Sequence, residues 1–291
     1  MRFNGKKIFL ILVVLFFALV IAAGCTDSGV PQEEGLKEAV LIATPYDTET
    51  SSANVLKIVL KSAGYDIDIK TVDVGLAFQG LASGSGDFFV GAWLPTCHGQ
   101  YYEKYKDDIV LVRENLQGTR CGLAVPAYVE VDSITRLNEN KDLFESKITG
   151  IEPGAGIMAG TDEAIEKYEL EYELTAGSEV GMCSALLAAV KSQEPIVFTA
   201  WSPHWMFVRW DLKYLEDPEN VYGGLEHITS FTRTGLKEDM PALYSVLERF
   251  HWETADMESI MLDMNEGMSA EEAAQKWVDE NPDTVNEWLG E

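Results

Sequence analysis

The chain has 291 residues, 46% of them hydrophobic and 24% charged, with 48 acidic side chains against 22 basic ones and a formal net charge of −26. So negative a chain excludes nucleic-acid binding through phosphate contacts, while the length suits one large domain or two lobes. Its four cysteines and four histidines show no paired Cys-x-x-Cys or other metal spacing, so neither a structural zinc nor a cofactor is expected.

At the N-terminus Arg2, Lys6 and Lys7 precede an apolar run, Ile8–Ala23, that ends in Ile21-Ala22-Ala23-Gly24-Cys25. A basic start, an apolar middle and small residues at the cut describe a secretory signal over residues 1–24. A Cys directly after Ala-Ala-Gly resembles the lipobox of bacterial and archaeal lipoproteins, which implies lipidation of Cys25 and a polar tether over 25–36. The apolar run is slightly short for a span, which weighs against an uncleaved anchor. Either way the rest of the chain is expected on the outer face of the cell membrane. Removing residues 1–24 takes away three basic and no acidic residues, moving the charge from −26 to −29. An exported chain permits disulfides. Cys97 and Cys121, near the ends of expected strands, are open to that pairing or to roles as small buried side chains.

From Ala39 the pattern is α/β. Ala39–Ile42 reads as a buried strand, Ser51–Ala63 as a helix with Val55, Leu56, Val59 and Leu60 on one face, and Ile67–Val72 as an alternating strand. Leu76–Leu81 is a short helix and Phe88–Val90 a strand, giving β-α-β-α-β, the mark of an open, mostly parallel sheet. Tyr101–Lys106 reads as helix, 109–112 and 121–125 as two strands, and Pro126–Val129 as an extended crossing into a second lobe. There Ile134–Phe144 is expected helical and Ile148–Ile151 a strand. A Gly-rich turn follows, then helices over 162–168 and 183–191 around a polar strand near 171–174, and the strand Ile196–Ala200 closes the set. His227–Thr232 alternates as a strand returning to the first lobe. Three helical pieces form the tail, over 240–250, 257–266 and 270–279, the last opened by a capping box at Ser269-Ala-Glu-Glu. The organisation expected is lobe one over 37–125 and 227–291, with lobe two over 126–226. Its fold class is α/β, a two-lobed periplasmic-binding-protein-like (type II) fold whose lobes hinge shut on a ligand.

Two stretches share one spelling. Phe88-Phe89-Val90-Gly91-Ala92-Trp93-Leu94-Pro95 and Ile196-Val197-Phe198-Thr199-Ala200-Trp201-Ser202-Pro203 each run from an apolar strand to Ala-Trp, with Pro two residues on. An indole on the loop after a buried strand sits where open α/β sheets bind ligands. With Tyr46 after the first strand, Trp93 and Trp201 offer three aromatic faces to the cleft. Such faces hold a quaternary ammonium by cation–π attraction, about 0.5–2 kcal/mol each, and select it over small hydrated cations. Gly154-Ala155-Gly156-Ile157 opens a helix, where free N–H groups and the helix dipole suit a carboxylate, and His98 can donate to one. The box and this helix start are expected on different lobes, so that closure engages both ends of a zwitterion.

Four longer stretches carry a family resemblance: Gly-Ala-Trp-Leu-Pro-Thr-Cys-His (91–98), Gly-Ile-Glu-Pro-Gly-Ala-Gly-Ile-Met (150–158), Ala-Trp-Ser-Pro-His-Trp-Met-Phe (200–207) and Phe-His-Trp-Glu-Thr-Ala-Asp-Met-Glu (250–258). From about Ala39 to Trp288 the chain resembles the substrate-binding proteins of glycine betaine/proline betaine ABC transporters. The resemblance implies an aromatic box of Tyr46, Trp93 and Trp201, with Tyr46 where close relatives have Trp. It also implies a carboxylate site from the N–H groups of Gly156 and Ile157 with His98. The implied partners are a membrane permease and an ATPase of an ABC importer for osmoprotectant uptake. A choline- or carnitine-binding protein of the same class is the alternative. An enzyme is disfavoured because Cys97 and His98, as chain neighbours on an extended segment, point apart and make no nucleophile–base pair.

Overall fold

The computed structural model describes residues 36–291; the signal, Cys25 and nearly all of the tether lie outside the described residues. In chain order the elements are β1 (Lys37–Ala43), α1 (Asp47–Ser62), β2 (Tyr65–Thr71), α2 (Val74–Ala82), β3 (Phe88–Leu94), α3 (Gly99–Tyr105) and β4 (Ile109–Pro126). Two short 3-10 turns (Ile134–Arg136 and Asn138–Phe144) lead to β5 (Lys147–Thr149), α4 (Gly156–Lys167), β6 (Glu173–Thr175), α5 (Glu179–Ser192), β7 (Phe198–Ser202), α6 (Trp205–Arg209) and β8 (Leu212–Tyr214). The return strand β9 (Glu226–Arg233) is followed by α7 (Leu236–Asp239), α8 (Pro241–Arg249), α9 (Thr254–Asn265), α10 (Ala270–Glu280) and α11 (Pro282–Leu289).

Two sheets share one strand. The first runs β2-β1-β3-β9-β4: β1 pairs in parallel with β2 and β3, and β9 lies antiparallel between β3 and β4. The second continues β4-β7-β5-β6, with β5 parallel to both neighbours and β8 on the other side of β4. Every residue of β3 is buried, as a central strand covered on both faces must be.

β4 is the main departure from the sequence reading. The strands expected at 109–112 and 121–125 are one strand of 18 residues. It pairs with β9 over Ile109–Thr119 and with β7 over Arg120–Ala124. Register shifts at Leu111/Arg113, Glu114/Leu116 and Gln117/Thr119 break the alternation that a flat strand would show, because each bulge swaps which face the next residues present. β4 therefore makes the crossing itself. Pro126–Val129, expected to do so, closes a turn through Val129 N–H to Pro126 O at 3.0 Å.

Other differences fall at element starts. α1 begins at Asp47 rather than Ser51, because its first turn is polar yet buried at Thr48 and Glu49. α4 begins at Gly156, six residues before the apolar periodicity suggests. The helix expected over 134–144 is two 3-10 pieces with non-helical backbone at Asn140. The capping box forms as expected: Ser269 Oγ accepts Glu272 N–H at 3.3 Å and Glu272 Oε2 accepts Ser269 N–H at 3.0 Å. Phe250, Trp252, Trp277 and Trp288 interlock in the tail with ring centroids 4.9–5.7 Å apart. Such pairs add about 0.5–1.5 kcal/mol each beyond area burial. Trp252 Nε1 donates to Ser52 Oγ at 3.1 Å, which ties the tail to α1 and so fixes the element that carries Tyr46.

Candidate functional site

Both indoles leave strands rather than loops. Trp93 is the penultimate residue of β3 and Trp201 of β7. Each strand ends one residue before a proline, and both X-Pro bonds, Leu94–Pro95 and Ser202–Pro203, are cis. Tyr46 is the N-cap residue of α1. Its ring meets Trp201 edge-on, with centroids 5.9 Å apart and planes at 64°.

Tyr46, Trp93, Trp201, His98, Gly156 and Ile157 line one cavity with Thr48, Cys97, Cys121, Ile151 and Ala155. The space inside it, counted out to open solvent, is about 330 Å³. Among the described residues, no Lys, Arg, Asp or Glu lines it. As the positions of the two Trp stretches imply, the box is itself divided between the two sheets, rather than set whole against the helix start. Tyr46, Trp93 and His98 come from the first sheet's lobe, and Trp201, Gly156 and Ile157 from the second. Each lobe thus supplies part of both ends, because β3 and β7 deliver their C-terminal ends to the same cleft.

His98 has a fixed role as donor. Its Nδ1 accepts the Trp93 N–H at 3.0 Å, while its own N–H donates to Trp93 O at 2.8 Å. Burial lowers its pKa to about 3, so the ring is neutral near pH 7. With Nδ1 an acceptor, the proton sits on Nε2, and that N–H is the group left to donate. At the start of α4 the Met158 N–H donates to Ala155 O at 3.1 Å, which leaves the Gly156 and Ile157 N–H groups without an intrahelical partner at the positive end of the dipole. A Cβ on Gly156 would lie 1.8 Å from Cys97 O. Only glycine lets this helix start come so close to the loop bearing His98.

A layer of carboxylates that sequence reasoning missed stands behind the rings. Glu49 Oε1 accepts Trp93 Nε1–H at 3.3 Å. Glu179, at the start of α5, accepts Asp47 N–H at 3.1 Å and pairs through Oε1 with His204 Nε2 at 2.7 Å. Asp47 Oδ2 accepts Trp205 Nε1–H at 2.9 Å, so Asp47 of the first lobe is gripped by two residues of the second. Burial pushes the Glu179 carboxyl up, with Asp47 adding to the shift, and burial lowers His204 to about 4. His204 Nδ1 accepts Met206 N–H at 3.2 Å, which leaves the Nε2 proton for Glu179. Burial and the nearby Glu152, Glu49 and Glu179 push the Tyr46 phenol up. Acidic residues in a polar first turn gave no periodic signal; Asp47 and Glu49 are marked in the sequence only by nearness to Tyr46, and Glu179 by nothing.

Among the described residues, two groups bring ligand atoms within 4.8 Å of one another, Asp47/Glu179/His204 and Cys97/Cys121/Glu226. In the first, these atoms are already committed to the hydrogen bonds just described. In the second, Glu226 Oε1 accepts the N–H groups of Thr96 at 2.6 Å and Cys97 at 3.0 Å, and both cysteines are free thiols.

A family model described as the substrate-binding domain of the ABC-type glycine betaine transport system matches residues 37–280. The glycine betaine/carnitine transport binding protein GbuC of Listeria monocytogenes is 49% identical over 154 residues, 51% of this chain and 51% of that protein. The chain thus spans about half the length of this curated relative in the match. Lactococcal OpuAC, solved closed with glycine betaine, superposes with a TM-score of 0.83 at 40% identity, covering 87% of this chain and 99% of that one. The glycine betaine/L-proline-binding protein ProX of Borrelia burgdorferi gives 0.84 at 36% identity, covering 87% and 96%. The fold is the two-lobed type II arrangement that these neighbours share.

Proposed function

We propose, from the premise that the chain belongs to the family of substrate-binding domains of ABC-type glycine betaine transport systems, that it captures glycine betaine or proline betaine outside the cell membrane for an ABC importer. The observation that carries this reading is the one cavity with unlike ends. Tyr46, Trp93 and Trp201 line it together with His98 and the start of α4, whose N–H groups can donate, and among the described residues no Lys, Arg, Asp or Glu does. A trimethylammonium has no proton to donate and is held by aromatic faces. A carboxylate is held by helix N–H groups and the His98 Nε2–H.

On this reading the lobes, taken as 37–125 with 227–291 and as 126–226, close over the zwitterion, and the closed form docks on a permease driven by an ATPase. Residues 1–24 are the signal and Cys25 the lipid-anchored residue. Binding without chemical change fits a family of binding domains. Choline or carnitine is the second reading, favoured for carnitine by the name of the Listeria relative. Choline would leave His98 and the start of α4 without an anion.

Calorimetric titration of the full-length chain with glycine betaine, proline betaine, carnitine and choline tests the proposal. Saturable one-to-one binding of a betaine is expected. Trp201→Ala should weaken it by up to about thirty-fold, the worth of one desolvated ring face. Stronger binding of choline than of any carboxylate-bearing ligand would overturn the betaine assignment.

A further inference from the structure

Glu49 is 2% exposed, and the chain goes to some length to keep it there. Its Oε2 accepts the Thr44 hydroxyl at 2.5 Å and the Thr48 hydroxyl at 3.3 Å, while Oε1 takes the indole N–H of Trp93. Gly91, two residues before Trp93 in β3, makes the room: a Cβ there would stand 2.3 Å from Glu49 Cγ and 2.4 Å from Oε1. Three donors and a slot cut in a central strand hold one carboxyl group directly behind a ring of the ammonium site. Nothing about the shape of the cavity requires that group to be acidic; Gln would fill the same space.

We propose that Glu49 is a specificity-determining residue of the ammonium site, ionised when ligand is bound and supplying, through the Trp93 indole N–H, the negative charge that selects a permanent cation. The inference rests on the quaternary-ammonium reading above. An indole whose N–H donates to an anion carries more electron density on its face, which strengthens cation–π attraction. The carboxylate also attracts the cation through a medium of low dielectric. Because the group is recessed and fully bonded, it offers no direct contact to Na⁺, K⁺ or an ammonium with protons, as a carboxylate lining the cavity would.

The charge is conditional. Burial raises the Glu49 pKa to about 7, with Glu179 adding and the bonds from Thr44, Trp93 and Thr48 opposing. The titratable groups around it are Asp47 and Tyr46 on its own segment, Glu179 on α5, Glu152 near Tyr46, and the imidazoles His98 and His204. Both imidazoles are held neutral by burial, at about 3 and about 4. No Lys or Arg of β1, β3, α5 or the tail helices α9 and α10 is among the groups that shift Glu49. A bound cation favours the ionised form, so binding expels a proton, and affinity rises as pH climbs through 7.

Titrating glycine betaine into the full-length chain at pH 7 in two buffers of different ionisation enthalpy counts that proton. Release of about half a proton is expected, fading towards pH 9, with affinity rising about ten-fold from pH 5.5 to 8.5, the equivalent of one unit of pKa linkage. Glu49→Gln should bind with the acid-limb affinity and a flat profile. Trp93→Phe, which keeps a ring but deletes the N–H, should move the midpoint of the profile to higher pH. Betaine binding without proton release overturns the proposal alone, as does an unchanged profile in Glu49→Gln, which would assign the proton to Glu179. If Glu49→Gln does not fold, the wild-type proton count and the Trp93→Phe midpoint decide the matter. No binding of any quaternary amine overturns the ammonium reading and this inference together.

Discussion

At the scale of single residues, the site works through groups whose protonation is set by backbone. The Trp93 N–H holds His98 Nδ1 as an acceptor, so the ring needs no partner side chain to present its Nε2–H. Replacing His98 with Ala should therefore discriminate between ligands. A hydrogen bond to a charged group is worth about 1.5–3 kcal/mol, so glycine betaine should weaken by roughly ten- to a hundred-fold while choline changes less than about three-fold. Any general loosening from the Trp93 N–H left without its acceptor would act on both ligands, so their ratio is the quantity to measure by calorimetry. Equal losses would show that His98 only shapes the loop. Of this layer, the aromatic and His positions were legible because Trp, Tyr and His after apolar runs are few and chemically pointed. Glu49, Asp47 and Glu179 were not, since a chain with 48 acidic residues gives no reason to single out three. Glu49 and Glu179 are set apart by burial and Asp47 by its bonds to Trp205 and Glu179, all properties of the fold. The Cys97 and Cys121 thiols, both free, were likewise chain positions without a partner until β4 brought them together.

At the scale of elements, what failed to show in the sequence is what the site demanded. Apolar periodicity marks a helix where it packs on a core. The first turns of α1 and α4 pack on the cleft instead, so periodicity alone starts each helix late, although the Gly154–Ile157 stretch marks where α4 opens. The bulges of β4 hid one long strand behind two short ones, and that strand joins the sheets. Gly156 shows how closely the elements meet. Its missing Cβ would lie 1.8 Å from Cys97 O, across the cleft. Gly156→Ala leaves a good helix residue at N1 but collides with backbone that only lobe opening can move away. Overpacking of this kind costs about 1–3 kcal/mol, and here the cost falls on the closed form alone. Affinity for betaine should drop by roughly five- to a hundred-fold while thermal unfolding of the ligand-free chain stays near wild type. A lowered melting temperature with unchanged affinity would place the strain inside one lobe and refute the closure argument.

For the whole molecule, the same buried groups that serve the cleft govern stability against pH, with opposing signs. His98 and His204 have folded pKa values lowered to about 3 and about 4, against an ordinary value near 6.5. Between those limits the unfolded chain binds protons that the folded chain refuses, so stability falls as pH drops below about 6.5. Glu49, raised to about 7, does the reverse: the folded chain keeps a proton that the unfolded chain has lost above about 4.5. Its contribution is complete at low pH and disappears as pH rises through 7, and Glu179, raised for the same reason, acts in the same direction. From about pH 4.5 to 6.5 the carboxyls oppose the imidazoles. Below that range the carboxyls are protonated in both states and only the imidazole cost grows, by about 1.4 kcal/mol per pH unit for each ring not yet protonated in the folded chain. Urea unfolding across pH should separate the two signs through one variant. Glu49→Gln removes one opposing carboxyl, so the difference in stability, variant minus wild type, should rise by about 1.4 kcal/mol per pH unit between 4.5 and 7 and then level off. A difference independent of pH would mean that Glu49 is ionised in the folded chain throughout, and would remove the basis for linking its charge to ligand capture.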